Sequence, residues 1–349
     1  MPEPTLELRI AGPFDAQAWD DFVATSSDAC SYHRWEWGAL LSEEFRLRRH
    51  DLMAVSDGRV RGILPFIVQA DVFGRRSLRS LPYVNYAGPV ASDEAAMRAI
   101  LDGAAQAVAV ERATFAELRC LPGTRLSLPV SERKVRPVLA LPPKIDDLWN
   151  SFPTKLRTKI RRPMKEDLTV QVGATELVDE FYRILCVKWR ELGSPIYRKS
   201  FFLKILETFP GEHTILLLRD AGHEAVGACW LHGYGDSVEA IWSGTLVEWD
   251  RVKGNMLLYW RAMEWAVDRG FRQFDFGRST EGGGTHAFKM QWGAVSSPLP
   301  WFYVAGSATV PPPAADQSRA ATTIQSVWKR LPLPMTRILG PVLARRIPL

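Results

Sequence analysis

Alternation of apolar and polar positions marks ELRIAG, near the start of the chain, as a strand, and the stretch from Asp15 to about Ser26 as a helix. A second helix begins near Ser31, with Trp35, Leu40, Leu41 and Phe45 approximating one face. DLMAVSDGRVRGILPFIVQ reads as two apolar strands joined at Asp57-Gly58, a dipeptide that tolerates the positive φ values of a tight hairpin turn. Residues 93–111 predict an alanine-rich helix, and FAELRCL a strand. The second half repeats this order. VRPVLALP is a strand and DDLWNSFPTKLRTKI opens a helical region; residues 176–192 place Leu177, Phe181, Ile184, Leu185 and Lys188 at helical steps. HTILLLRDAGHEAVGACWLHGYGDSVEAIWSG is a three-stranded meander with turns at Asp220–Gly222 and Gly233–Asp236. A helix from about Asn255 to Asp268 follows, stopped by Gly270, and RQFDFGR is the next strand. Helices, an antiparallel meander, a helix and a strand thus occur twice. The pattern predicts a duplicated α/β (α+β) fold with domains at 1–140 and 141–306, followed by a tail at 307–349.

Length changes this picture little, since 349 residues exceed what one hydrophobic core usually serves. Apolar residues at 46% and charged residues at 24% are ordinary for a folded chain, and the 13 tryptophans suit cores and cleft walls alike. No 18-residue apolar run predicts a membrane span, and MPEPTLELRI lacks the basic-then-apolar character of a signal peptide, so a cytoplasmic location is expected. Cys30, Cys120, Cys186 and Cys229 are too scattered for a metal site and read as reduced, mostly buried thiols; the six histidines are equally dispersed. Residues 307–349 hold six bases and one acid, which leaves 38 of each sign in the body. A neutral body argues against a general nucleic-acid coat, and no DNA partner is expected, while a local basic groove stays open. In the tail, PPPAAD reads as a linker. TTIQSVWKRL and MTRILGPVLARRI are short, basic and amphipathic, which suits peripheral contact of 319–349 with the inner membrane face, packing on the chain's own domain, or disorder.

Three constellations carry chemistry. Lys155, Arg157, Lys159, Arg161, Arg162 and Lys165 put six cations in eleven residues, as two ridges of a helix that Pro163 breaks, with Arg162 biased away from helical geometry. Such a run is either a solvated basic face or a clamp for phosphates. Arg251, Gly254 and Asn255 stand where a strand gives way to a helix whose N-terminal N–H groups attract anions; Met256 follows where a small residue would allow closer approach. Finally, FDFGRSTEGGGTHAFKMQWG delivers Asp275 and Arg278 from a strand, then a triple-glycine loop, then His286, Lys289 and Trp292 at near-helical spacing. Lys289 is suited to stabilising an oxyanion, and Asp275 or His286 to relaying a proton.

With these residues in hand, the sequence resembles the FemAB-type, GNAT-like aminoacyl- and acyltransferases, and more narrowly the FemAB-like proteins associated with exosortase and exopolysaccharide loci. The resemblance runs through YHRWEWGALLSEEF, GRRSLRSLPYVNYAGPV, KLRTKIRRPMKEDL, LGSPIYRKSFF, NMLLYWRAMEWAVDRGFRQFDFGRST and GTHAFKMQWG…SPLPWFY, spanning about residues 30–303. It implies tandem GNAT-like domains, no tightly bound cofactor, and transfer from acyl-CoA or aminoacyl-tRNA. The acceptor it implies is an amine of an anionic, nucleotide- or lipid-linked peptidoglycan or polysaccharide precursor. By this resemblance Lys289 falls on the family's Phe-Lys block. Arg157 and Arg161, with Lys159 between them, lie on the helix facing the substrate groove, and Tyr197 and Arg278 fall on motif positions. Arg251 and Gly254 match the Arg-x-x-Gly start of a GNAT acyl-CoA turn. Pro163 departs from the pattern, and the coiled-coil insertion of some tRNA-dependent members is absent, which speaks against tRNA. The rival readings are a non-catalytic GNAT-pair scaffold at the membrane surface and an acetyl-CoA-dependent N-acetyltransferase.

Overall fold

The computed structural model describes residues 6–305 and 319–347. Among these residues the chain divides into two compact units. The first holds the chain up to Lys134, the stretch beginning at Pro298, and the segment from Leu343; the second holds Val135–Ser297 and the later helices up to Val342.

In the first unit β1 (Glu7–Ile10), α1 (Ala16–Thr25), α2 (Trp35–Phe45), β2 (Arg48–Arg49), β3 (Leu52–Ser56), β4 (Arg59–Leu64), β5 (Ile67–Ala70), β6 (Arg76–Arg79), β7 (Val90–Ala91), α3 (Glu94–Val110) and β8 (Phe115–Arg119) follow one another. Asp57 (φ 51°) and Gly58 (φ 71°) turn the β3–β4 hairpin as predicted. The second expected strand, however, is interrupted after Leu64. Pro65 has no N–H to donate, and the chain beyond it joins another sheet. One sheet is ordered β1-β3-β4-β7 and the other contains β8-β6-β5-β2. Asp93 caps α3 by accepting the Ala96 N–H at 2.8 Å. The chain then returns as β8, parallel to β6, with Arg79 opposite Glu117. The YHRWEW block builds core: Tyr32, His33 and Trp37 are buried, and Trp19 Nε1 donates to the His33 carbonyl at 2.7 Å. Burial pushes His33 down to about 4, so its ring is neutral where it meets the Gly88 carbonyl.

The second unit begins within β9 (Val130–Ala140) and continues through α4 (Ile145–Ser151), α5 (Thr154–Arg161), β10 (Thr169–Gly173), α6 (Val178–Leu192), α7 (Lys199–Thr208), β11 (His213–Arg219), β12 (Ala225–Tyr234), β13 (Ser237–Thr245), α8 (Gly254–Asp268), β14 (Gln273–Asp275), β15 (Ser279–Thr280) and α9 (Gly284–Met290). Its strands are ordered β10-β11-β12-β13-β14-β9, and β13–β14 is the parallel pair. Leu216, Leu218, Cys229 and Leu231 share a core with α8, while Trp230 meets Phe181 of α6 and Phe202 of α7. Strands covered on both faces have no polar side to show, which explains the unbroken apolar runs in this meander. β10 and α7 were not anticipated. Arg162 also differs from expectation. It keeps helical dihedrals (φ −57°, ψ −55°) and its N–H bonds Thr158, because Pro163 opens a separate 3₁₀ turn.

β16 (Val295–Ala305) then carries the chain back to the first unit, where residues 301–305 pair antiparallel with β8. The expected domain of 141–306 is corrected accordingly: β8 would otherwise expose a row of unpaired backbone groups. α10 (Arg319–Arg330) and α11 (Leu333–Ala344) end the described chain. The PPPAAD linker lies outside the described residues. No helix among them is long and apolar enough to cross a membrane. Cys120, Cys186 and Cys229 are buried free thiols, and Cys30 is partly exposed.

Candidate active site

The second unit sets two buried carboxylates side by side. β13 and β14 pair with Glu239 opposite Asp275, so both side chains leave the same face of adjacent strands, about 5 Å apart. The first unit has an Arg–Glu pair at the corresponding crossover, Arg79 with Glu117 at 3.4 Å. Two like charges need cations instead. Arg136 of β9 donates Nε to Asp275 Oδ2 at 2.6 Å, while the Gly277 N–H donates to Oδ1 at 2.8 Å. Lys289 and Arg278 supply further positive charge. Arg136, Lys289 and Arg278 thus lie around the two carboxylates, with Lys289 buried and both arginines partly exposed.

Lys289 projects from α9 and is 8% exposed. Its Nζ donates to the carbonyls of Gly277 at 2.8 Å and Arg278 at 3.1 Å. Gly277 adopts φ 70°, a left-handed conformation that glycine takes without strain and that turns the chain at this point. Burial pulls the Lys289 ammonium down to about 8, with Arg278 acting in the same direction and Asp275 and Glu239 opposing it.

The other predicted residues divide. His286 Nδ1 accepts the Gly282 N–H at 3.1 Å, and Nε2 pairs with Ser296 Oγ at 3.1 Å. With Nδ1 accepting, the neutral ring carries its proton on Nε2, and both nitrogens are engaged. The ring therefore clamps the triple-glycine loop, while both oxygens of the fully buried Asp275 are engaged by Arg136 and the Gly277 N–H. In α5, Leu156 and Ile160 are buried in the core shared with α8. Lys159 Nζ reaches Gln291 Oε1 at 2.9 Å, just beyond α9. The basic helix and the Lys289 helix are thereby neighbours. Lys159 is nevertheless engaged with Gln291, and Arg161 lies over the Trp149 ring at 5.0 Å. Arg157 is half-buried, and its Nε has no hydrogen-bond partner among the described residues. Tyr197 is buried in an aromatic cluster with Trp189, Phe201 and Phe202, which gives it a packing role.

At the start of α8, Arg251 is exposed, and Gly254 allows close packing on Leu218, whose Cδ2 would stand 3.1 Å from an added Cβ. Asn255 Oδ1 is buried without a hydrogen-bond partner among the described residues. Met256 does not crowd this turn as expected. It is 3% exposed in the core, with its sulfur accepting from Gln291.

Sequence reading missed Glu239, Arg136, and the hydrogen bond between Tyr259 and Ser243 at 2.6 Å. A glutamate within the apolar strand SVEAIWSG was the available signal for the first. A separate cavity of about 800 Å³, bordered by Tyr234, His213, Trp265, Arg269 and Phe271, shares no residue with the Lys289 group.

Residues 151–290 match the acetyltransferase (GNAT) domain family. A search of curated proteins finds no match to the sequence. Among solved structures, the chain is similar to FemX, with a TM-score of 0.62 at 14% identity, covering 84% of this chain and 96% of that one. It is also similar to the C-terminal domain of a protein assigned as a lysylphosphatidylglycerol synthetase from Agrobacterium fabrum (TM-score 0.54, 15% identity, 90% and 95% covered). A tandem GNAT protein from the clavulanic acid biosynthesis pathway gives 0.55 at 10% identity, with 88% and 100% covered. At such identities the likeness is one of fold. Residues 151–290 thus match a GNAT domain, and the chain as a whole is similar in fold to tandem GNAT proteins.

Proposed function

We propose that this chain transfers an acyl or aminoacyl group to an amine of an anionic, nucleotide- or lipid-linked cell-envelope or polysaccharide precursor. The amine nitrogen attacks the donor's ester or thioester carbonyl, and the tetrahedral oxyanion collapses with loss of the alcohol or thiol. Two of the three N–H donors of Lys289 are held by backbone carbonyls, which leaves one for the developing oxyanion. Asp275 takes the proton that the attacking amine must lose. The observation that carries this reading is the buried Lys289 ammonium beside the paired Glu239 and Asp275, with one N–H beyond its two carbonyl bonds. The likeness to FemX and to a lysylphosphatidylglycerol synthetase, whose name speaks of an aminoacyl lipid, supports the aminoacyl version.

The donor is acyl-CoA or aminoacyl-tRNA. The first N–H groups of α8 and the exposed Arg251 suit the donor's phosphates, and the buried Asn255 Oδ1 suits an amide N–H. This arrangement favours a second reading, acetyl-CoA-dependent N-acetylation. Thermal-shift screening over CoA esters, nucleotide sugars and charged tRNA, followed by calorimetry with acetyl-CoA, separates the two. With the donor so identified, Lys289→Ala should leave the fold intact and lower turnover roughly 10²–10³-fold, as loss of one oxyanion donor does. Unchanged turnover would remove Lys289 from the mechanism.

A further inference from the structure

Helix α11 turns its large apolar side chains away from the unit on which it packs. Met335, Ile338, Leu339 and Val342 follow the i, i+3, i+4, i+7 rule and so form one stripe, 45%, 73%, 41% and 61% exposed. The opposite side carries small residues: Thr336 is buried, and an added Cβ on Gly340 would stand 2.9 Å from the backbone N and O of Ile196. A helix that served only to complete a core would show the reverse assignment. α10 buries a large residue but also leaves apolar ones outside. Trp328 is buried with Nε1 donating to the Ser194 carbonyl at 3.1 Å, whereas Ile324 and Val327 are more than half exposed.

Charge selects the partner for this face. Residues 319–347 contain Arg319, Lys329, Arg330, Arg337, Arg345 and Arg346 and no acid. A second copy of the chain would bring the same six positive charges to the contact and be repelled. An anionic bilayer answers both features, since apolar side chains enter the interface while each nearby base multiplies partitioning by about fivefold. Arg337 is partly engaged, lying 6.0 Å from the Tyr182 ring centroid. Arg345 and Arg346 donate to the Arg46 and Asp71 carbonyls at 3.3 and 3.4 Å, which leaves most of the attraction to Lys329 and Arg330. We infer that α10 and α11 form a foot that docks this protein, without spanning, on an anionic membrane surface. The inference does not depend on the transferase reading, because its readout is binding alone.

The test uses the full chain in flotation with vesicles of phosphatidylcholine alone and of an equimolar mixture with phosphatidylglycerol. Binding to the anionic vesicles is expected, declining with added salt, with little on the neutral ones. The double variant Ile338→Asp/Leu339→Asp, altered at exposed positions, should lower the partition coefficient by roughly tenfold or more at unchanged thermal stability. Lys329→Ala/Arg330→Ala should lower binding to anionic vesicles specifically. Equal binding by wild type and the aspartate variant would overturn the inference. So would absence of vesicle binding together with a concentration-dependent dimer that the aspartate variant abolishes, or with binding to an acidic protein alone.

Discussion

Replacing Lys289 by methionine keeps most of the length of a buried stem and removes its charge. In the native unit the ammonium titrates at about 8, because burial penalises the charged form, while in the unfolded chain it titrates at the ordinary 10.5. Between these values the unfolded state holds more protons than the native one. The unfolding free energy therefore rises with pH across that window. Below pH 8 the whole cost of burying the charge is present, and above 10.5 it has vanished. An interval of this size corresponds to roughly 3 kcal/mol. Urea unfolding of both proteins between pH 7 and 10.5, followed by tryptophan fluorescence, reads this directly, since Trp260 and Trp292 are buried in the same core. The stability of wild type relative to Lys289→Met should increase by roughly 3 kcal/mol over that range, other titrating groups being common to both proteins. A difference that stays flat would refute the reasoning and mean that Asp275 and Glu239 fully compensate the lost hydration. The same titration should appear in turnover. A step that needs charged Lys289 declines above about pH 8, and Lys289→Arg, whatever its rate, should lose that decline.

Three further outcomes follow from the packing. Arg136→Ala strips Asp275 Oδ2 of a donor at 2.6 Å and should cost roughly 2–4 kcal/mol in urea unfolding, with partial recovery in Arg136→Lys. Asp93→Ala removes the cap of α3 and should cost about 1 kcal/mol. The Ala96 N–H and Arg61 hold Asp93 at about 2, so that contribution is present at neutral pH and lost as pH falls from about 4 through 2, as acid unfolding of the two proteins should show. Gly340→Ala forces α11 off the Ile196 backbone and should cost roughly 1–3 kcal/mol, visible as faster amide exchange over 333–344.

Local chemistry in the sequence was enough for most elements. Asp57-Gly58 specified its hairpin because the dipeptide tolerates two positive φ values, and the helical steps from Leu177 to Lys188 specified α6 because one face had to be buried. The same reasoning put Asp275, Arg278 and Lys289 into one neighbourhood, since a strand, a glycine turn and a helix of known lengths join them. His286, three residues before Lys289, was expected to act with it, yet its two nitrogens are directed to Gly282 and Ser296. Spacing along a helix gives a side chain's face and leaves its partners open.

What the chain determined by itself is thus the kind of most elements, the duplication of a meander–helix–strand unit, and the cationic character of α5 and the tail. These depend on residues a few positions apart. Tertiary structure alone decided that Glu239 stands beside Asp275, that Arg136 reaches from β9 to pair with Asp275, and that residues 301–305 return to pair with β8 in the first unit. It also decided that α11 turns Gly340 inward and Ile338 outward. Each of these pairs residues far apart in sequence, or chooses between two faces of one helix. Periodicity specifies that a face exists, whereas what it meets depends on register and on edges left to be covered.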